Sequence, residues 1–225
     1  MKKQPSFHSK IRRVHKGFSL VELLIVILIM TILMTMGAMG IRGLTGGKGT
    51  STGIANAEAV FSEARATAQG KGTSTRILID ARDINDIGTY LRRIVIATQD
   101  LNPDGTPKTT WTMSSRGYTL PDGTFFSRVL SKKVEATPVA EESLSFAKQT
   151  DSGMYFVYEF NSQGICITPG ATFVIGSGSR PRGQVPIING SAKRDFAAFS
   201  IWGSGETSML RNTSQIGALD SLRNF

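Results

Sequence analysis

The sequence predicts an α+β protein: an N-terminal transmembrane helix, a glycine-rich break, then an amphipathic helix packed on a mostly antiparallel β-sheet. Three observations predict it. Phe18 to Met39 is an apolar run of 22 residues in which only Glu22 is ionisable, long enough as a helix to span roughly 30 Å, one bilayer core. Ile54, Ala57, Phe61, Ala64 and Ala68 recur at spacings of three and four, the period of one helix face. From Thr73 onward, short runs of β-branched and aromatic residues alternate with Gly, Pro, Asn and Asp, the pattern of strands and turns.

Residues 1–17 read as a basic leader. They hold six of the 26 basic residues (Lys2, Lys3, Lys10, Arg12, Arg13 and Lys16) and no acid, so the net charge of +9 falls to +3 for the remainder. Only Arg42 and Lys48 follow the apolar run closely, and this asymmetry keeps the leader in the cytoplasm and sends the domain across the membrane. Both histidines, His8 and His15, lie in the leader, and Cys166 is the lone cysteine. A chain trimmed of its leader therefore lacks imidazole, which argues against Ser-His-Asp, Cys-His and imidazole-zinc chemistry. Cys166, in the alternating run Gly164-Ile165-Cys166-Ile167-Thr168, reads as a small core residue. No enzymatic activity is expected.

The next element, residues 18–44, is the stem. A carboxylate within an apolar span costs about 2.5–3.5 kcal/mol at the centre of the helix and less near its end, so Glu22 calls for a partner, and the span contains no base. Cleavage between Gly17 and Phe18 would free an α-amino group to serve, on the same chain or on a neighbouring copy. The alternative is that Glu22 snorkels to the headgroups of an ordinary signal anchor.

Lys16-Gly17-Phe18-Ser19-Leu20-Val21-Glu22 and the apolar residues after it resemble the N-terminal signature of the type IV pilin and pseudopilin superfamily. The resemblance implies that a prepilin peptidase cuts between Gly17 and Phe18 and that Phe18 is N-methylated. It implies that Glu22 registers the subunit in a filament by meeting a neighbour's N-terminal amine. Other pilins or pseudopilins, joined through the N-terminal helix, are the implied partners.

Seven glycines between Gly37 and Gly53 would each cost a helix interior about 1 kcal/mol, which predicts a flexible linker over 45–53. Gly37, Gly40 and Gly43 alternatively form a small-residue packing face. The amphipathic helix is expected over 54–70, ended by Gly70-Lys71-Gly72, and the sheet over 75–210, within a periplasmic domain of residues 54–225. Expected strands are 75–80, 90–98, 109–114, 123–129, 154–160, 166–175, 195–202 and 206–210, with loops over 132–143 and 176–192. Local turns at Asn102–Gly105, Asn161–Gly164 and Gly203–Gly205 would join strands into hairpins. This order of elements resembles the H-type minor pseudopilins of type II secretion.

Candidate sites in the domain are few. Asp100, Asn102 and Asp104 with Gly105 match the first half of a calcium-binding EF-hand loop, but Trp111 stands where its bidentate Glu belongs, so a hairpin turn explains the same residues. No cofactor is expected beyond that calcium alternative. The basic pairs Arg92-Arg93, Lys132-Lys133, Arg180 with Arg182, and Lys193-Arg194 would serve phosphate if they shared one face, yet acids are scattered between them and solvated surface is the plainer reading. Glu141-Glu142 and Asp83 with Asp86 read as surface.

The sequence thus points to a pseudopilin, single-pass in the inner membrane with a cytoplasmic N-terminus and a periplasmic domain, drawn through its stem into a type II secretion or related filament. The alternatives are a minor pilin for adhesion or DNA uptake, a membrane-anchored enzyme, and a secreted domain cut near Gly40.

Overall fold

The computed structural model describes residues 19–133, 137–188, 195–210, 212–217 and 222–225, apart from the side chains of 32, 35–48 and 213. The chain divides into two compact units, Met1–Gly43 and Leu44–Phe225. Helix α1 runs Leu20–Lys71, 52 residues, with helical backbone throughout. This corrects the expected linker over 45–53 and the separate helix over 54–70, since both stretches belong to α1.

The reason lies in packing. A Cβ on Gly53 would stand 3.1 Å from Ile175 Cδ1 and 3.3 Å from Pro121 Cδ, and one on Gly49 would stand 3.3 Å from Thr124 Oγ1. These glycines let the helix approach the Leu120–Thr124 turn, and tertiary contact outweighs their poor helix propensity. The buried stripe therefore begins earlier than the sequence suggested: Thr50, Gly53, Ile54, Ala57, Phe61, Ala64 and Ala68. The helix ends where Gly72 takes φ +63° and the Thr73 N–H reaches back to the Ala68 carbonyl at 3.2 Å, a glycine-stopped Schellman end.

The described strands are β1 Thr75–Asp80, β2 Arg93–Leu101, β3 Pro107–Met113, β4 Tyr118–Thr119, β5 Thr124–Phe126, β6 Glu141–Leu144, β7 Gly153–Phe160, β8 Ala171–Ser179, β9 Ile187–Ile188, β10 Phe196–Ile201 and β11 Thr207–Leu210. They form two antiparallel sheets. The first has the order β3-β2-β1-β7-β6 with β4 also on β2; the second has the order β11-β10-β8-β5 with β9 also on β8. The registers place Ile77 opposite Ile96 and Tyr158, and Phe173 opposite Phe199.

Three departures from the sequence expectation have local causes. β2 starts at Arg93 because Leu91, fully buried, takes φ +56°, held there by its N–H to the Asp80 carbonyl and by the Phe126 N–H to its own carbonyl, both 2.7 Å. Such a conformation costs a non-glycine residue about 1–3 kcal/mol and interrupts an extended run. β6 and β9 occupy segments expected to be loops; both are short, and Glu-Glu-Ser-Leu of edge strand β6 has no buried face to announce it. The Asn161–Gly164 turn closes only a short hairpin, with the Asn161 N–H on the Ile165 carbonyl and the Ile167 N–H on the Glu159 carbonyl, both at 3.0 Å. These bonds flank the Phe160–Cys166 bridge, and the chain then crosses to the second sheet, where β8 starts at Ala171.

Helix and sheets share one core. The fully buried Phe61 ring meets Tyr158 and Phe160 of β7 at centroid distances of 5.2 and 6.4 Å, and Phe173 of β8 and Phe199 of β10 at 5.3 and 5.0 Å. The other face of the first sheet carries a smaller cluster of Leu78, Val95, Ala97, Tyr155 and Val157, covered by Phe146 from the loop before β7. There the Tyr155 hydroxyl donates to the Asp151 carbonyl and the Arg82 guanidinium lies 5.4 Å from its ring. Desolvation pushes the Tyr155 phenol up to about 12, with Arg82 opposing and Asp80 and Asp151 adding to the rise.

Two outcomes follow. Phe61→Ala should lower the unfolding free energy of the Leu44–Phe225 unit by about 3–5 kcal/mol in urea titration, whereas the exposed Glu63→Ala should change it by less than about 0.5 kcal/mol. Because the folded Tyr155 pKa lies above that of a free tyrosine, about 10, its contribution is complete below about pH 10 and is lost as pH rises toward about 12. Tyr155→Phe should make stability fall less steeply across that window in denaturant titrations at stepped pH.

Candidate functional site

The start of α1 carries a reciprocal cap. The Ser19 N–H donates to Glu22 Oε2 at 2.9 Å and the Glu22 N–H donates to Ser19 Oγ at 3.2 Å. This is a capping box, which satisfies two backbone donors that a helix start otherwise leaves orphaned. The Glu22 carboxylate thereby sits in the first turn, where the positive end of the helix dipole favours it. The sequence reading considered only partners outside this turn for Glu22, and the Ser-x-x-Glu spacing was the signal that would have revealed Ser19. Gly17 and Phe18 lie outside the described residues.

Beyond the cap, the described large side chains from Leu20 to Met34 are all 44–81% exposed, so this helix presents apolar surface on every side within its unit. Thr31 turns its hydroxyl back onto the Ile27 and Leu28 carbonyls at 2.7 and 2.9 Å, which lets it reside in an apolar setting. Among the described residues no helix is long and apolar enough to cross a membrane. The expected span, Phe18 to Met39, extends past the described side chains at both ends.

The calcium alternative finds its residues on the β2–β3 hairpin, engaged with their own turn. Asp100 accepts the Thr112 hydroxyl at 2.8 Å, Asp104 accepts the Thr106 N–H and hydroxyl at 2.9 and 2.6 Å, and Asn102 donates to Thr106 Oγ1 at 2.9 Å. Hydroxyls of Thr110 and Thr112 hold the Asp100 carboxyl below its ordinary range, and Thr106 does the same for Asp104. A shallow cleft of about 300 Å³ brings Asp80, Asp83 and Asp86 together, but Asp80 is paired with Arg82 and the other two accept backbone N–H groups of their own turns. Among the described residues no group of three or more His, Cys, Asp or Glu is placed to hold a metal ion.

The basic pairs are largely committed to the fold. Arg92 is buried and donates to the Leu120 carbonyl at 2.8 Å and to Asp122 at 2.6 Å. Arg93 reaches the Arg116 carbonyl at 3.3 Å, and Arg180 lies over Tyr90 at 4.7 Å while donating to the Ile84 and Asp86 carbonyls. Lys132, Lys133 and Arg182 are not drawn into such contacts in the described structure, and Lys193 and Arg194 lie outside it. Glu141 and Glu142 stand on edge strand β6, where Glu142 comes within 4.0 Å of Arg76. Cys166 is 3% exposed, its thiol pushed up by burial, as suits a packing residue and not a nucleophile. Two adjoining turns, linked by the Cys166 N–H to the Gly203 carbonyl at 3.2 Å, present Ile165, Ile167 and Trp202 to solvent.

Comparison with known protein families finds a match at the N-terminus. Residues 12–38 fit the prokaryotic N-terminal methylation motif, a stretch that takes in Gly17, Phe18, the Ser19–Glu22 cap and the apolar stem. No curated protein matches the chain, and no solved structure does. At residues 12–38 the chain carries the N-terminal signature of the type IV pilins and pseudopilins.

Proposed function

We propose that this pilin-like chain is a pseudopilin, trimmed by a prepilin peptidase between Gly17 and Phe18, methylated on the Phe18 amine, and assembled through its stem into a filament of type II secretion or a related machine. The observation that carries this is the methylation motif at 12–38 lying on the same residues as a capped, apolar, uncovered helix. The chemistry is non-covalent. Before assembly, lipid covers the stem, and the leader charge keeps the N-terminus cytoplasmic and the domain periplasmic. On assembly, neighbouring stems replace lipid, packing apolar side chain against apolar side chain.

Glu22 supplies registry. A carboxylate in this environment is costly, and the Ser19 cap together with the helix dipole lowers that cost while the subunit is alone. The methylated amine of a neighbour then neutralises it, so a stem that slips along its neighbour leaves both charges unpaired. The signature belongs to a non-enzymatic family, and the domain's role in this account is contact with other subunits or cargo. A DNA-uptake pilus is the less favoured use, because Arg92 and Arg180 spend their donors on internal carbonyls.

Two differently tagged copies co-expressed in a host with the assembly machinery should co-purify after detergent extraction. Glu22→Val should reduce that co-purification by tenfold or more, in line with about 3–5 kcal/mol for stranding one partner of a buried ion pair, while urea unfolding of the domain stays unchanged. Equal recovery of the Glu22→Val pair would contradict the proposed role.

A further inference from the structure

The first sheet ends in β3 on one side and β6 on the other, and among the described residues each has a strand partner on one side alone. Their outer edges carry free backbone groups. The Gln99 N–H turns to the Ser74 carbonyl at 2.9 Å and the Ser114 N–H to the Ile96 carbonyl at 2.8 Å, so by alternation Trp111 and Met113 direct their N–H and C=O groups outward from β3. At the other end the Ala81 N–H meets the Met154 carbonyl at 3.1 Å, and the same alternation turns the backbone groups of Glu141 and Ser143 outward from β6. Sheets blunt such edges with charge, proline or brevity. Here the charges have opposite signs: β3 begins Pro107-Lys108 and holds no acid, whereas β6 is four residues long and holds Glu141 and Glu142 with no base.

The two edges also match in direction and in face. β1 is antiparallel to β2 and β7, which are antiparallel to β3 and β6 in turn, so β3 and β6 run the same way. Trp111, Met113 and Leu144 pack on the face that carries Leu78, Val95 and Val157, and Glu142, opposite Tyr155, shares that face. Thr112, Glu141 and Ser143 belong to the other face and are exposed. A second copy brought alongside without being turned over therefore offers its β6 to β3 as a parallel strand. With the outward groups in register, Ser143 stands opposite Thr112, and Glu141 stands opposite Thr110, two residues from Lys108. Leu144 then falls opposite Met113, beside a cleft of about 210 Å³ that Trp111 and Met113 line with Phe146 and Lys148. Pairing β6 with another β6 would instead set glutamate beside glutamate.

We infer that, in the assembly proposed above and resting on it, β6 of one copy adds to β3 of the next and joins the first sheets of neighbouring domains into one. The contact is heterologous, because each copy presents a different edge to each neighbour, and such contacts propagate along a filament. Copies whose stems run parallel are related without inversion, as parallel strand addition requires. Stems held side by side raise the effective concentration of the facing edge, so a short, charged strand suffices. Lys108 and the β6 glutamates select the complementary edge.

The test uses full-length chains with two tags, co-expressed in a host with the assembly machinery. One copy carries Thr112→Cys and the other Ser143→Cys, exposed positions that the pairing brings to about 4.8 Å, within reach of a disulfide. Within one chain β3 and β6 are four strand spacings apart, roughly 19 Å, so no chain closes this bond by itself; native Cys166 is buried. Under mild oxidation a disulfide joining the two tags is expected, in clear excess over pairs in which both copies carry Thr112→Cys or both carry Ser143→Cys. Adding Glu141→Lys to the Ser143→Cys chain should lower the yield about fivefold, and adding Lys108→Glu to its partner should restore it. Tags that co-purify through their stems while the mixed pair gives no more disulfide than the like pairs would overturn the edge pairing and leave the filament assignment standing. So would a disulfide that joins either cysteine to a different host protein instead of the second copy. Unsubstituted tagged copies that fail to co-purify would remove the assembly and this pairing with it.

Discussion

Phe61 is the contact on which the domain depends, because its ring touches aromatic rings from both sheets while its backbone belongs to α1. Around it, Ala57, Ala64 and Ala68 keep the helix close, so the small residues act as a gauge that sets the distance at which a single large ring can engage Tyr158, Phe173 and Phe199 together. The same requirement for close approach extends up the helix to Gly53 and Gly49, which lie against Pro121, Leu120 and Ile175. One physical demand, a thin helix face against a thick aromatic core, thus accounts for the alanines and for two of the glycines.

At its other end α1 solves a different problem. There the described large side chains from Leu20 to Met34 remain exposed within their unit. In the assembly proposed above, lipid or other stems cover them. The Ser19–Glu22 cap satisfies the helix start locally and places one carboxylate in its first turn, the group proposed above to set registry. On that proposal, burial by the hydrophobic effect supplies non-directional attraction and the charge supplies position.

Much of this was legible in the sequence because it depends on short-range pattern. The period of Ile54, Ala57, Phe61, Ala64 and Ala68 identified the buried helix face, and β-branched runs located β1, β7, β10 and β11 within a few residues. The hidden parts depend on contacts distant in sequence. Glycine propensity argued for a linker at 45–53, and only the approach of Pro121 and Ile175 reverses that balance. Leu91 shortens β2 through bonds to Asp80 and Phe126, neither of which is a neighbour in the chain. The buried Phe225 ring needs Gly176 and Gly178 to fall beneath it, and a sequence shows those glycines merely as a strand of low propensity. The Ser19–Glu22 cap, by contrast, is local and is written in the Ser-x-x-Glu spacing of near neighbours.

The central claim is that residues 1–17 are a leader and that the working protein begins at Phe18. Intact-mass and N-terminal peptide mass spectrometry on protein extracted from the membrane of its native host tests it most directly. The account predicts a chain starting at Phe18 with one N-methyl group on its α-amine. A chain that starts at Met1, or one released near Gly40, would contradict it.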